Sequence, residues 1–392
     1  LAQAPSEPAA PSSIPSFAAL VWQHLVNDAM ANYLPGILPA LSAFGIPVFL
    51  LGVMATVQTL GQTLQPFTGI LADRRGGRTF VMVGPLLSAC AVFGIAFSHN
   101  YPVLLVAALL TGIGNSIFHP QALTAARTLA VRRTGAQMSV FMIGGEFGRA
   151  MGPLAAGALV AAGGMPWLAV LVGLPLIGLP WLVRAVPRAR PRPVVHAALH
   201  LRQRLGAVAS LLAYTGLRAA AISGVSVLLP IYWRDQGGSL VVAATLVTTF
   251  LGLGMAGNIA GGILRDRFGP KSILYGTSTV SAFLVLILLR VHGLWLWPVL
   301  GVLGMALFAT SPVTMILGQD TFPENPGFGS GLALGAGNAI GALLLLPITF
   351  VADHVSILSG LWVVLAYLAL SIAAVPGLLL RSQAASSPAV SA

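Results

Sequence analysis

Runs of about twenty apolar residues recur from Phe17 to Leu380, each long enough to cross a hydrocarbon layer of about 30 Å as a helix. Little chain is left between them, so a water-soluble fold is excluded: 57% of the 392 residues are hydrophobic and only 7% are charged, where a soluble domain carries about a quarter charged residues. Read between breakers, the runs fall at 17–43, 46–71, 79–98, 102–126, 136–162, 166–185, 207–232, 240–264, 272–291, 294–318, 328–351 and 356–380. Inside lipid each run must satisfy its own backbone groups, which a helix does. The expected fold is an all-α membrane protein of twelve transmembrane helices.

Twelve crossings place both termini on one side. Arg74, Arg75, Arg78, Arg127, Arg132, Arg133, Arg184, Arg188, Arg190, Arg192, Arg202, Arg204, Arg265, Arg267, Lys271 and Arg381 all fall on that side, against Arg234 and Arg290 on the other. Basic loops stay inside, so both termini are expected in the cytoplasm. The formal net charge of +11 is thereby explained by orientation, and nucleic acid is not an expected partner because the basic loops are short and separate. Lys271 is the only lysine, which together with the alanine content points to a bacterial chain and hence to the cytoplasmic (inner) membrane. The lone Cys90 sits in an apolar run, so neither an internal disulfide nor a thiolate metal site is expected. Residues 1–16, rich in Pro, Ala and Ser without a basic start, read as a disordered tail rather than a signal peptide. The Pro- and Arg-rich segment 187–206 is the one long hydrophilic connection and divides a bundle at 17–186 from a second at 207–380, with a tail at 381–392.

The two bundles repeat one another. Gly69-Ile-Leu-Ala-Asp73-Arg74-Arg75-Gly76-Gly77-Arg78 follows the second run and Gly262-Ile-Leu-Arg-Asp266-Arg267-Phe268-Gly269-Pro270-Lys271 the eighth, with Asp73 and Asp266 lying 193 residues apart. Gly112 to Pro120 mirrors Gly304 to Pro312 at 192, and Leu38-Pro39 mirrors Leu229-Pro230 at 191. Duplicated membrane halves hold a substrate at their interface near the midplane and rock to give alternating access.

The paired loops resemble the G-x-x-x-D-R-x-G-[RK]-[RK] signature of the major facilitator superfamily, a resemblance that covers the whole chain. It implies two pseudo-symmetric six-helix bundles and a cytoplasmic lock in the outward-facing state, made by Asp73, Arg74 and Arg78 and, more loosely, by Asp266 and Arg267. Gly77 and Pro270 stand where the family has a basic residue. His24-x-x-Asn27-Asp28, Gly112-x-Gly-Asn115-Ser-x-Phe118-His119-Pro120 and the glycine-rich fifth run resemble the fosmidomycin-resistance type of bacterial drug exporters, with Gln121 where that type has an acidic or small residue. Gly148-x-x-x-Gly152-Pro153-x-x-Ala156-Gly157 is similar to the antiporter motif of exporters in the superfamily. It favours export over uptake.

Ionisable groups at bilayer depth are costly unless paired or facing water, which marks each as a functional candidate. His24 and Asp28 stand four residues apart, on one face of the first helix and near mid-membrane. A carboxylate in a cavity of changing hydration takes up a proton when desolvated and releases it when rehydrated, with a neighbouring imidazole tuning the exchange. Asp28 is the expected proton carrier with His24 beside it; a structural hydrogen bond and metal ligation are the alternatives. Asn115 and His119 repeat that spacing on the fourth helix, before the kink of Pro120, and either line the path or cap the kink. Glu146 and Arg149 form an i, i+3 pair able to neutralise each other and to open when proton or substrate binds. Arg218, with no acid near it in sequence, calls for an anion: Asp28 across the two-fold axis, another helix's acid, or a substrate carboxylate or phosphonate. Tyr33 is a candidate for an aromatic cavity wall. Gln58, in a stripe with Gln62 and Gln65, is either a polar wall residue or an interhelical hydrogen-bonder.

No nucleotide loop, pair of catalytic carboxylates or nucleophile constellation is present, so an enzyme is not expected. The expected activity is proton-coupled efflux of a small amphipathic or anionic compound by a monomer in the bilayer, driven by the proton gradient without a bound cofactor. Organic-anion symport and divalent-metal export are the alternatives.

Overall fold

The computed structural model describes residues 14–75, 77–130, 134–186 and 204–386. Within them the chain crosses twelve times as helix. The first crossing is α1 (Ile14–Ala31) followed by α2 (Leu34–Ala43). Its break has a local cause: Pro35 has no N–H to return to Ala31, four residues back. The Ala31 carbonyl so freed accepts from the side-chain amides of both Gln58 and Gln62, each at 3.1 Å. The second crossing is α3 (Val48–Gln62) with α4 (Gln65–Arg75), broken ahead of Pro66 in the same way. Then come α5 (Gly77–Phe97), α6 (Tyr101–Leu129) and α7 (Thr134–Gly163), and a tighter 3₁₀ stretch, Met165–Gly173, that runs into α8 (Leu174–Ala185).

In the second half α9 (Leu205–Asp235) is one unbroken crossing. The segment α10 (Leu240–Leu288) holds two, reversed at Gly269, whose φ of +77° is open to glycine and strained for other residues. The tenth crossing is α11 (Leu296–Ala309) with α12 (Ser311–Thr321). The eleventh is α13 (Pro326–Gly331), one wide π turn at Leu332–Ala336, and α14 (Gly337–His354). The twelfth is α15 (Ile357–Ser386). The expected tail at 1–16 and linker at 187–206 lie mostly outside the described residues.

Eight helical segments are long and apolar enough to cross a membrane by themselves, and one of these is the double crossing α10. The first, second and fifth crossings fall outside that set because proline breaks or polar side chains dilute them. These three carry His24, Asp28, Gln58, Gln62, Glu146 and Arg149. The weakest membrane helices are thus the chemically richest.

The repeat seen in sequence is a repeat of contacts. A Cβ on Gly112 of α6 would strike the carbonyl of Gln58 in α3, and one on Gly304 of α11 would strike the carbonyl of Phe250 in α10. Gly69 lies on Pro120 as Gly262 lies on Pro312. In both halves a glycine lets the fourth helix of the bundle approach the second at backbone distance.

The halves meet along two antiparallel seams on the side opposite the termini. In one, α3 runs against α14: Val48 N–H donates to Asp353 Oδ1 (2.8 Å), the Phe49 and Phe350 rings meet edge to face (5.9 Å), Gly52 lies on Thr349, and Thr56 Oγ1 donates to the Ala342 carbonyl (2.8 Å). In the other, α7 runs against α10, with Gly157 on Ala244 and Ala150 beside Gly252. Both seams end at the level where the polar side chains begin.

Candidate functional site

Three helices of the first half build the centre. The carboxylate of Asp28 on α1 is buried and held from two sides. His119 Nε2 on α6 is 2.9 Å from its Oδ1, and His24 Nε2, one turn back on α1, is 3.5 Å from its Oδ2. Asn27 and Asn115 each direct a side-chain N–H to Oδ1, at 3.2 and 3.3 Å. The i, i+4 spacings read from the sequence therefore place two pairs of groups on facing helices, and the fold brings all four together.

His24 is itself fixed from behind. Its ring stacks on Phe141 of α7 at 4.1 Å, and its Nδ1 lies 2.8 Å from the Phe141 carbonyl. With Nδ1 donating to that carbonyl, Nε2 is the nitrogen turned to Asp28. Gly145 of α7 lies flat against the same ring, where any Cβ would collide with it. The stretch Phe141 to Gly145 is thus the wall behind the imidazole. The Phe141 carbonyl, like any backbone group, carries no signal in a sequence.

His24, Asp28 and His119 each offer a ligand atom within 4.8 Å of the others, near enough for a divalent cation. Two amide N–H groups already point at Asp28 Oδ1, however, and put hydrogen-bond donors where a cation needs lone pairs. The donor set is that of a carboxylate held by protons. His119, with 27% of its side chain exposed against 4% for His24, is the member of the cluster in contact with open space.

On α7 Glu146 and Arg149 form the expected pair at 3.3 Å. Arg149 also crosses to the second half, its guanidinium 5.8 Å from the centre of the Phe308 ring. Arg218 on α9 comes to the same turn from the other side. One of its terminal nitrogens donates to the Leu307 carbonyl (3.2 Å) and to Ser311 Oγ (2.9 Å), while its buried Nε has no hydrogen-bond partner among the described residues. The idea that Arg218 pairs with Asp28 is not met, because Asp28 is enclosed by groups of its own half. Two guanidiniums, one from each half, thus converge on residues 307–311.

Other expected residues lie elsewhere. Tyr33 is wholly buried in the hydrophobic core that spans both halves. Gln58 turns to the Ala31 carbonyl, the interhelical role left open as its alternative. Of the loop residues, Arg78 stands at the start of α5, while the side chains of Asp73 and Arg74 lie outside the described residues. Asp266 pairs with Arg265 (3.1 Å), and Arg267 lies over the Phe268 ring (5.2 Å), so these two do not pair with one another.

The sequence profile described as Major Facilitator Superfamily matches residues 20–345. The chain belongs to this superfamily. Its members are transporters, not enzymes, and the twelve-helix, two-bundle fold is theirs. The chain is 26% identical over 351 residues to the fosmidomycin resistance protein of Escherichia coli (strain K12), covering 86% of each chain. It is 28% identical over 265 residues to the multidrug resistance protein MdtG of Citrobacter koseri, covering 64% of this chain and 65% of that one. Among solved structures, the nucleoside transporter NupG superposes with a TM-score of 0.77 at 12% identity, covering 93% of this chain and 99% of the other. A peptide transporter of the POT type superposes at 0.74 with 15% identity, covering 92% and 94%. For this superfamily transporter the likeness to solved structures establishes the fold, and the site must be read from its own residues.

Proposed function

We propose that this transporter exports a small amphipathic or anionic compound from the cytoplasm in exchange for protons. The observation that carries the reading is the cluster of His24, Asp28 and His119, a buried carboxylate between two imidazoles of which one, His119, is partly exposed. Such a cluster takes a proton when the cavity faces the acidic side and gives it up when the cavity faces the other. Arg149 and Arg218 supply fixed positive charge for an anionic end of the substrate, and the Phe308 ring between them supplies an apolar face. The names of the relatives, resistance proteins for fosmidomycin and for multiple drugs, support export.

Arginine placement supports termini in the cytoplasm, and the bacterial relatives support the inner membrane. In that orientation the two seams lie on the external side, and the substrate path runs from the cytoplasmic side to the cluster. Proton and substrate then compete across the same midplane cavity: substrate enters from the cytoplasm, leaves outside, and protonation at Asp28 resets the carrier. No cofactor beyond the proton gradient and no partner chain is required, and the Asp73 and Asp266 loops act at the cytoplasmic gate.

In proteoliposomes with an acidic interior, uptake of labelled fosmidomycin or of an organic acid from a screened panel is expected to follow the pH gradient. With Asp28→Asn it is expected to fall to the level of empty vesicles, while the variant's melting temperature stays near that of the parent. Undiminished pH-driven uptake in Asp28→Asn would remove the coupling role.

A further inference from the structure

At the tip of the α3–α14 seam the two halves solve one structural problem in different ways. The N-terminus of α3 begins at Val48, and the residue at its cap position is Pro47, whose ring has no acceptor to offer the free N–H groups of the first turn. The matching helix of the second half, α10, begins at Leu240, and there Ser239 caps the first turn from within, its Oγ accepting from Val242 N–H at 3.3 Å. Pro47 and Ser239 occupy equivalent cap positions 192 residues apart, the spacing of the repeat.

What Pro47 cannot supply comes from the other half. The Val48 N–H donates to Asp353 Oδ1 at 2.8 Å, a contact between residues 305 apart in sequence. The carboxylate thereby sits at the positive end of the α3 dipole. His354, beside it, lies with its Nδ1 3.9 Å from Asp353 Oδ2, donates from that nitrogen to the Phe350 carbonyl at 3.0 Å, and stacks its ring on Phe350 at 4.1 Å. Phe350 in turn meets Phe49 across the seam.

We infer that Asp353 is the latch of the gate on this side of the membrane, a helix cap given in trans that exists only while α3 and α14 are together. When the halves part here, the Val48 N–H and the dipole of α3 lose their anion at one stroke. At the other seam the cap of α10 stays with its own helix and is indifferent to opening. The cap therefore favours closure at the α3–α14 seam and not at the α7–α10 seam, by about tenfold in population, as expected for one cap carrying a charged hydrogen bond.

The test needs no substrate and so stands apart from the export reading. In a Cys90→Ser background, spin labels at Ala43→Cys and Val355→Cys flank the seam from the two halves, both positions being exposed. Pulsed dipolar spectroscopy on the purified protein in nanodiscs is expected to give a short distance in the parent and a population shifted to longer distances in Asp353→Ala. Asp353→Asn, which keeps an acceptor without the charge, is expected to fall between. Adding Pro47→Ser to Asp353→Ala gives α3 its own cap and is expected to leave the long distance in place. An unchanged distribution in Asp353→Ala would overturn the inference. So would recovery of the short distance by Pro47→Ser, which would show that fraying of α3 alone caused the shift.

Discussion

At mid-membrane the first and second halves hold the same helix pair at the same level, with opposite charge. In the first, Asp28 of α1 is held by Asn115 and His119 of α6. In the second, Arg218 of α9 is held by the Leu307 carbonyl and by Ser311. Arg218 stands 191 residues after Asn27, the neighbour of Asp28, while Leu307 and Ser311 stand 192 after Asn115 and His119. Duplication preserved the contact and divergence changed what crosses it. A carboxylate between imidazoles can change its charge, whereas a guanidinium in a protein cannot. The first half is thus suited to respond to protons and the second to present a constant cation.

The strongest way to break this comparison is to remove the cation. Arg218→Met is expected to weaken binding of an anionic substrate by about 2–5 kcal/mol, thirtyfold or more, the range found when one partner of a buried charged hydrogen bond is truncated. Proton uptake by the purified variant after a pH jump, followed with an indicator dye, is expected to match the parent. Asp28→Asn should do the reverse, losing proton uptake while calorimetry still detects the anion. Loss of both functions in either variant would mean that the two halves form one charge network rather than two stations.

A smaller effect tests whether the shared framework is equivalent in the two halves. Gly112 and Gly304 each bring the fourth helix of a bundle against a carbonyl of the second. Gly112→Val and Gly304→Val are each expected to lower stability by about 1–3 kcal/mol through overpacking, read as a fall in melting temperature in detergent. Similar losses are expected, since the contacts are mirrored. A large loss in one half alone would show that only that half depends on the close approach.

Much of this was legible in the sequence for a physical reason: apolar length fixes crossings in lipid, and a duplicated framework leaves its period in residues such as Gly112 and Gly304. The centre was legible by halves. His24 with Asp28, and Asn115 with His119, each lie on one helical face, and a face can be read from spacing. That the two faces meet depends on how α1 and α6 pack, which no spacing encodes. Arg218 was visible as a buried cation without its partners, because one partner is a backbone carbonyl and the other a serine of ordinary appearance. Asp353 falls just past the run 328–351 and leaves no local pattern, because the cap it gives belongs to a helix of the other half.

Gln58 is where the comparison of halves separates most sharply the two readings that the sequence leaves open, through the smallest expected effect. Pro35 frees the Ala31 carbonyl, and Gln58 and Gln62 both turn to it. In the second half Ser226 stands in the place of Pro35, α9 runs unbroken, and the places of the two glutamines are taken by Phe250 and Gly254. The proline and the glutamines occur together in the first half and are all absent from the matching places of the second. Gln58→Leu is therefore expected to lower stability by about 1 kcal/mol, the worth of one hydrogen bond whose acceptor keeps a second donor, and to leave substrate affinity unchanged. In a Pro35→Ser background, where an N–H returns to Ala31, the same Gln58→Leu change is expected to lose most of its effect, and the difference is a coupling energy that a double-mutant cycle measures. Equal losses in both backgrounds, or a loss of affinity with stability intact, would move Gln58 from the kink to the cavity wall.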